Sequence, residues 1–323
     1  MIKVPILWVE IGRKLPRHLT RNIKFHGSSF PELQQFLVTD QSVPDEVSKY
    51  CKIIPLKSLM DEEGSDYLKN KLNRKTNQIS FWLNTTKRFF IIYEFMKKRQ
   101  VENVIHLESD CLLLKPDVVV NNFKEDNWSL SYPLQANGIG CASIFLVRGF
   151  EGISKFNNLI LENWDVENQD DMQLLGQFSE SKEVKILFST PEHLNIYDPQ
   201  SYGRYLLGTD ARNIRFPFSR RGIIDGRVGS AALQKYKFRW DSKMNDLIVS
   251  SEGHLSHLVN IHIHSKRVPR DWKQLGEMLT QDIEKIGSRK WKRGKFDTQV
   301  FIERLFSWAG KKILRKNVDF RLR

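Results

Sequence analysis

The sequence predicts an α/β protein, with a mostly parallel central sheet flanked by helices and a basic helical extension at the carboxyl end. Three observations carry that expectation. Short apolar runs of strand length alternate with longer helical stretches through the first half. A broad apolar face recurs at helical spacing between the third and fourth of those runs. The positive charge is gathered at one end. From Lys285 onward stand 13 Lys and Arg against Asp297, Glu303 and Asp319, so +10 of the net +13 belongs to the tail.

Taken in order, residues 5–11, 35–39, 52–55 and 103–107 are the first strands. The long helix covers about 79–98, where Phe81, Leu83, Phe89, Ile92, Tyr93 and Met96 make the apolar face. Asn84 and Arg88 lie one turn apart on it and point the same way. Residues 128–132 and 142–147 read as two more strands, and 150–163 as a helix through Ile153, Phe156, Leu159 and Ile160. Residues 190–256 are rich in Gly, Arg, Asp, Asn and aromatics and read as long loops carrying short elements. A strand at 258–264, a helix near 270–286 and the tail complete the chain. The expected division is a catalytic domain over 1–270, with halves at 1–115 and 116–270, followed by a helical basic extension over 271–323.

At 323 residues the chain can bury a substantial core, and its composition, 40% hydrophobic and 28% charged, is that of a soluble globular protein. No run approaches the roughly 20 apolar residues of a membrane span. The apolar stretch near the start is too short for a signal peptide and reads as the first strand. Cys51, Cys111 and Cys141 are odd in number and far apart, which argues against a disulfide framework or zinc ribbon and fits a reducing, cytoplasmic setting. Residues 1–284 carry only +3, so the whole protein is not expected to bind nucleic acid.

Residues 104–107 form an apolar strand running directly into Glu108-Ser109-Asp110. Carboxylates at i and i+2 leave an extended strand on one side. At the carboxyl end of a central parallel strand they sit where open α/β sheets bind ligands. Two close acids repel unless one is protonated or a cation lies between them, and a hard divalent ion would also bridge to phosphate. The plain alternative is a pair that closes a strand and caps the next turn. A second segment, 260–266 (NIHIHSK), alternates so that Ile261 and Ile263 face a core while His262 and His264 share the other face. A histidine there can offer a neutral imidazole to a metal. His264 is the favoured one, being nearer the strand end and Lys266; two ordinary strand histidines are the alternative.

Residues 88–96 (RFFIIYEFM) and 103–110 (NVIHLESD) resemble the helix, strand and Asp-x-Asp motif of the GT-A nucleotide-sugar glycosyltransferases. The segment 260–266 resembles their C-terminal metal-binding histidine with a nearby lysine on the diphosphate. The likeness covers roughly residues 1–270. It implies a divalent cation, Mn²⁺ or Mg²⁺, held by Asp110, supported by Glu108 (here in place of the first Asp) and completed by His262 or His264. Lys266 would neutralise the leaving diphosphate. Asp170 and Asp171, at the start of a helix, would touch the donor sugar or deprotonate the acceptor, unless they merely cap that helix. The nucleotide would lie against Val9, Glu10, Ile11, Val38, Thr39 and Asp40, with Asn84 and Arg88 above it. Tyr202, Arg204 and Asp210 would line the acceptor pocket.

The implied activity is transfer of a monosaccharide from a nucleoside diphosphate sugar to a glycan or lipid-linked acceptor. A sugar nucleotidyltransferase is the runner-up, disfavoured because the loop after the first strand holds only Gly12 where a glycine-rich phosphate loop is expected. A nucleic-acid or membrane-surface binding protein acting through the tail is a rival of another class. Over residues 288–323, Lys and Arg mingle with Trp291, Phe301, Phe306 and Trp308. Either an amphipathic helix there lies on an anionic membrane, or it packs its apolar side on the catalytic domain.

Overall fold

The computed structural model describes residues 4–12, 14–72, 79–125, 127–135, 138–164, 170–208, 233 and 235–288. The basic tail from 289 and the acceptor candidate Asp210 lie outside the described residues. The strands are β1 (Ile6–Glu10), β2 (Gln35–Thr39), β3 (Lys52–Pro55), β4 (Asn103–Leu107), β5 (Cys111–Leu113), β6 (Leu130–Pro133), β7 (Ile144–Arg148), β8 (Val184–Leu187), β9 (Asn195–Ile196), β10 (Lys237–Asp241), β11 (Asp246–Ser251), β12 (His254–Leu258) and β13 (Asn260–His262). The helices are α1 (Arg17–Ser29), α2 (Asp45–Ser48), α3 (Leu56–Leu59), α4 (Glu62–Lys71), α5 (Ile79–Arg99), α6 (Pro116–Asn122), α7 (Glu151–Asn163), α8 (Asp171–Phe178), α9 (Tyr202–Leu207) and α10 (Trp272–Ser288).

Seven strands form the central sheet in the order β3-β2-β1-β4-β7-β6-β8. All run parallel except β7, which opposes both β4 and β6. This is the expected α/β architecture. Because β6, β7 and β8 join β1 to β4 in this sheet, it spans residues of both halves expected from the sequence. The sheet is buried on both faces. Phe89, Ile92, Phe95, Phe145, Phe156 and Leu174 pack one side, and Trp8, Leu19, Ile23, Ile105 and Val119 pack the other. Each fully buried side chain of this size contributes about 1.5–3 kcal/mol of transfer free energy, which makes the sheet a rigid platform. The parallel run puts the carboxyl ends of β1, β2, β4 and β6 on one edge, where ligands gather in open α/β sheets.

The short elements expected within 190–256 are organised. A four-stranded sheet, β10-β11-β12-β9, is built from residues 195–196 and 237–258, while 209–232 lie outside the described residues. Asn245, Glu252 and Gly253 take positive φ at its hairpin turns, the conformation a tight reversal demands. The strand expected at 258–264 is also divided. β12 ends at Leu258 and joins this sheet, whereas β13 pairs with β5 in a separate two-stranded ribbon. A third core under that ribbon joins Leu112, Ile261 and Ile263 to Tyr202 and Leu206 of α9 and Leu275 and Leu279 of α10.

Candidate functional site

β4 delivers Glu108 to the ligand-binding edge of the sheet, and the chain then turns. The Cys111 N–H donates to Glu108 O at 2.9 Å, so residues 108–111 form a β-turn rather than a continued strand. The two acids therefore converge through the turn, which corrects the extended i, i+2 picture. β5 leaves the turn and pairs antiparallel with β13, setting His262 opposite Cys111. The Ile263 N–H donates to Asp110 O at 2.8 Å and continues the register. Ile261 and Ile263 point into the core and are fully buried, as the alternation predicts.

This register brings three ligand types together. His262 Nε2 lies 2.9 Å from Asp110 Oδ1 and 3.4 Å from Glu108 Oε2. One ligand atom from each of Glu108, Asp110 and His262 falls within 4.8 Å of the others. Of the two candidate histidines, His262 brings a ring nitrogen into this group, and the His264 ring lies beside it with centroids 4.2 Å apart. β13 ends at His262, but the alternation carries on, with Ile263 turned into the core and His264 on the face of His262. The chain turns through Lys266, whose N–H donates to Ile263 O and whose φ is +58°. His264 also faces Arg204, with Nδ1 3.4 Å from Nη2.

The surrounding charges are arranged around these acids. Lys266 Nζ donates to Asp110 Oδ2. Burial pushes the Asp110 carboxyl up, but His262 and Lys266 together outweigh it and hold the group well below the usual carboxylate range. Arg88 is buried and bridges two acids, with Nη1 2.5 Å from Glu108 Oε1 and Nη2 2.7 Å from Asp171 Oδ2. Burial raises Glu108, yet the Arg88 guanidinium, seconded by His262, brings it below its ordinary value. For Asp171 burial prevails over Arg88 and lifts the carboxyl to about 6. Arg88 thus fixes Glu108 and Asp171 together. Its planar fork is suited to holding two carboxylates at once.

Sequence reasoning missed a polar ladder on α1. His18, Asn22 and His26 recur every four residues and so share one helix face. His18 Nε2 is 3.1 Å from Ser109 Oγ. Asn22 Nδ2 donates to Ser109 O at 3.2 Å and Cys111 O at 2.8 Å. His26 Nε2 accepts from the Leu113 N–H at 3.1 Å. The ladder fastens the acidic turn to α1, and its available signal was Asn22 and His26 falling at helical spacing among the apolar residues Leu19, Ile23 and Phe25.

This arrangement makes His26 an acid-sensitive support. Burial depresses its pKa from 6.5 to about 4. The depressed value means stability that is present above pH 6.5 and is lost as pH falls through about 4, on the order of 3 kcal/mol in all. In urea unfolding, His26→Gln is expected to lose about 2–3 kcal/mol less than wild type between pH 7 and pH 4. His106, held down to about 3 chiefly by burial, is present in both proteins and leaves that difference intact.

The remaining candidates are spread along the same edge. Val9 is half-buried against the core, Glu10 and Ile11 are buried at the end of β1, and Val38 and Thr39 are buried in β2. Asp40 accepts from the Gly12 N–H with both carboxylate oxygens, at 3.1 and 3.0 Å, and so ties the ends of β1 and β2 together. Gly12 takes φ +74°, and a Cβ there would come within 2.3 Å of Asn84 Nδ2, so Asn84 covers this loop. Asp170 is the N-cap of α8 in a capping box with Gln173, the structural role the sequence allowed for one of the two aspartates. Asp171 is buried beneath Arg88. Tyr202 is fully buried with its hydroxyl donating to Ser189 O at 2.6 Å, so its ring packs in the core, whereas Arg204 stays half-buried beside His264.

The cluster suits a divalent cation. His262 Nδ1 is buried without a hydrogen-bond partner among the described residues, and Nε2 faces the two carboxylates. Two carboxylates and one imidazole suit Mn²⁺ better than Mg²⁺, which prefers oxygen throughout.

No family model matches the sequence, and no curated protein matches it. Among solved structures the chain is similar to the galactosyltransferase LgtC in complex with donor and acceptor sugar analogs, at 14% identity and a TM-score of 0.45 over 87% of this chain and 96% of that one. It is similar to mouse xyloside xylosyltransferase 1 in its apo form, at 10% identity and a TM-score of 0.44 over 62% of this chain and 89% of that one. A cytidylyltransferase from Leptospira borgpetersenii is similar at 10% identity and a TM-score of 0.36, over 58% of this chain and 76% of that one. At these identities the likeness concerns the path of the chain.

Proposed function

We propose that this protein is a metal-dependent glycosyltransferase that moves a monosaccharide from a nucleoside diphosphate sugar to a glycan or lipid-linked acceptor. The observation that supports it most is the convergence of Glu108, Asp110 and His262, from turn and ribbon, at the carboxyl end of β4. Asp110 and His262 would hold the cation, with Glu108 as third ligand. When bound, the cation would stabilise the charge that develops on the departing diphosphate. Lys266, with 28% of its side chain exposed, adds a positive charge at the same place. Arg88 keeps Glu108 ionised and in position, and Asp171 holds Arg88 from its other side. Asp170, at the N-terminus of α8, is the proposed contact to the donor sugar or acceptor hydroxyl. Arg204 is its counterpart on the acceptor side.

The β1–α1 loop supports glycosyl over nucleotidyl transfer. A phosphate-cradling loop offers free backbone N–H groups, whereas here the Gly12 N–H is bound by the Asp40 carboxylate. That negative group would repel a phosphate in the same place. No helix among the described residues is long and apolar enough to cross a membrane. Cytoplasmic placement, with residues 288–323 touching an anionic membrane surface, completes the proposal.

The test is product analysis with a panel of nucleotide sugars in Mn²⁺ or Mg²⁺. Nucleoside diphosphate should be released, and EDTA should abolish the release. Pyrophosphate release from sugar phosphate and nucleoside triphosphate would instead identify a nucleotidyltransferase.

A further inference from the structure

Asp198 lies outside the cluster just described and is fully buried. It is too deep to meet substrate, yet its carboxylate is saturated by four backbone donors. Oδ1 accepts from the Ser201 N–H at 2.6 Å and the Tyr202 N–H at 2.9 Å. Oδ2 accepts from the Gly203 N–H at 2.9 Å and the His262 N–H at 2.9 Å. Three of these donors belong to the entry and first turn of α9, where N–H groups otherwise lack partners. The fourth is the backbone of the histidine in the cation cluster.

The neighbouring contacts leave that strand little freedom. The Asp198 N–H donates to Asn260 Oδ1 at 3.1 Å, two residues before His262. Asn260 Nδ2 in turn reaches Cys111 Sγ at 3.3 Å, one residue after Asp110. Gly203 packs so closely on β13 that a Cβ there would stand 2.1 Å from His262 O. Ser143 Oγ donates to Asp198 O at 3.3 Å, and the Ser143 carbonyl accepts from the Glu108 N–H at 3.0 Å. Backbone or neighbours of all three cluster residues are thus fastened within a few bonds of one aspartate.

We infer that Asp198 is the positioning residue of the cation centre: its carboxylate fixes the His262 backbone, and with it the approach of the imidazole to Asp110 and Glu108. The inference rests on the proposed function for the identity of the centre. A carboxylate can accept all four N–H groups at once. An amide cannot, because its NH₂ must oppose one pair of donors. Loss of a partner that orients a metal ligand typically costs 10–100-fold in metal affinity.

The test measures Mn²⁺ binding to the full chain without substrate, by electron paramagnetic resonance of free Mn²⁺, for wild type, Asp198→Asn and Leu206→Ala. Leu206→Ala loosens α9 from its apolar side and leaves the carboxylate's four bonds in place. Asp198→Asn should bind Mn²⁺ about 10–100-fold more weakly with its circular dichroism unchanged. Leu206→Ala should bind as wild type does at a temperature where both are folded. Should Asp198→Asn fail to fold, Asn260→Ala removes the bond to the Asp198 backbone and should lower affinity several-fold. Wild-type affinity in both Asp198→Asn and Asn260→Ala would overturn the inference, as would an equal loss in Leu206→Ala. No Mn²⁺ binding by wild type would instead remove the cation centre on which the inference rests.

Discussion

Asp110→Asn should abolish cation-dependent donor turnover, lowering it by more than about 100-fold, the upper figure for losing a partner one step further from a metal. The substitution preserves volume and keeps an acceptor oxygen, so the β-turn and the Lys266 contact need not collapse. What it removes is charge. Asp110 is held well below its ordinary range, by His262 and Lys266 against the cost of burial. It is therefore committed to the anionic form that a hard cation requires. The expected pattern is a loss of both Mn²⁺ affinity and nucleoside diphosphate release, with the thermal midpoint little changed. Turnover within threefold of wild type would remove Asp110 from the centre.

Arg88→Met should have the largest effect on stability. Met fills the space of the aliphatic stem but leaves Glu108 and Asp171 buried without their shared counter-charge. Breaking a buried pair in this way costs about 3–5 kcal/mol. The pH dependence follows from the direction of the shifts. Without Arg88 both carboxyls are raised above their unfolded values in the folded protein. The stability they contribute is then present at low pH and lost as pH rises through the raised values. Chemical denaturation should accordingly find the variant's deficit larger at pH 8 than at pH 5. A deficit that is independent of pH would contradict the two-acid bridge.

Much of the fold was legible because buried parallel strands and amphipathic helices leave strong local patterns. β2, β3 and β4 fall at the expected residues, and α5 differs from its expected range by one residue at the end. The β9–β12 sheet was less legible. Its strands are short and partly exposed, with β10 half-buried along much of its length, so their alternation was masked by polar and aromatic neighbours. In the site, residue type was readable and partnership was not. The acids, the histidine pair and Lys266 stand out in sequence, but which ring nitrogen reaches the acids depends on the register of β13 on β5. Arg88 was recognised as important, yet its bond to Asp171 joins residues 83 positions apart. The α1 ladder and Asp198 act through backbone groups, which carry no residue-type signature at the receiving end.

Whether Glu108, Asp110 and His262 hold the cation that binds a nucleotide-sugar diphosphate can be tested most directly by crystallography. The measurement is anomalous scattering from crystals grown with Mn²⁺ and a nucleoside diphosphate. A single anomalous peak shared by Asp110 and His262, with the diphosphate against it and Lys266 alongside, is the predicted result. A nucleoside diphosphate bound elsewhere, or one bound at this edge with no peak between those two side chains, would contradict it.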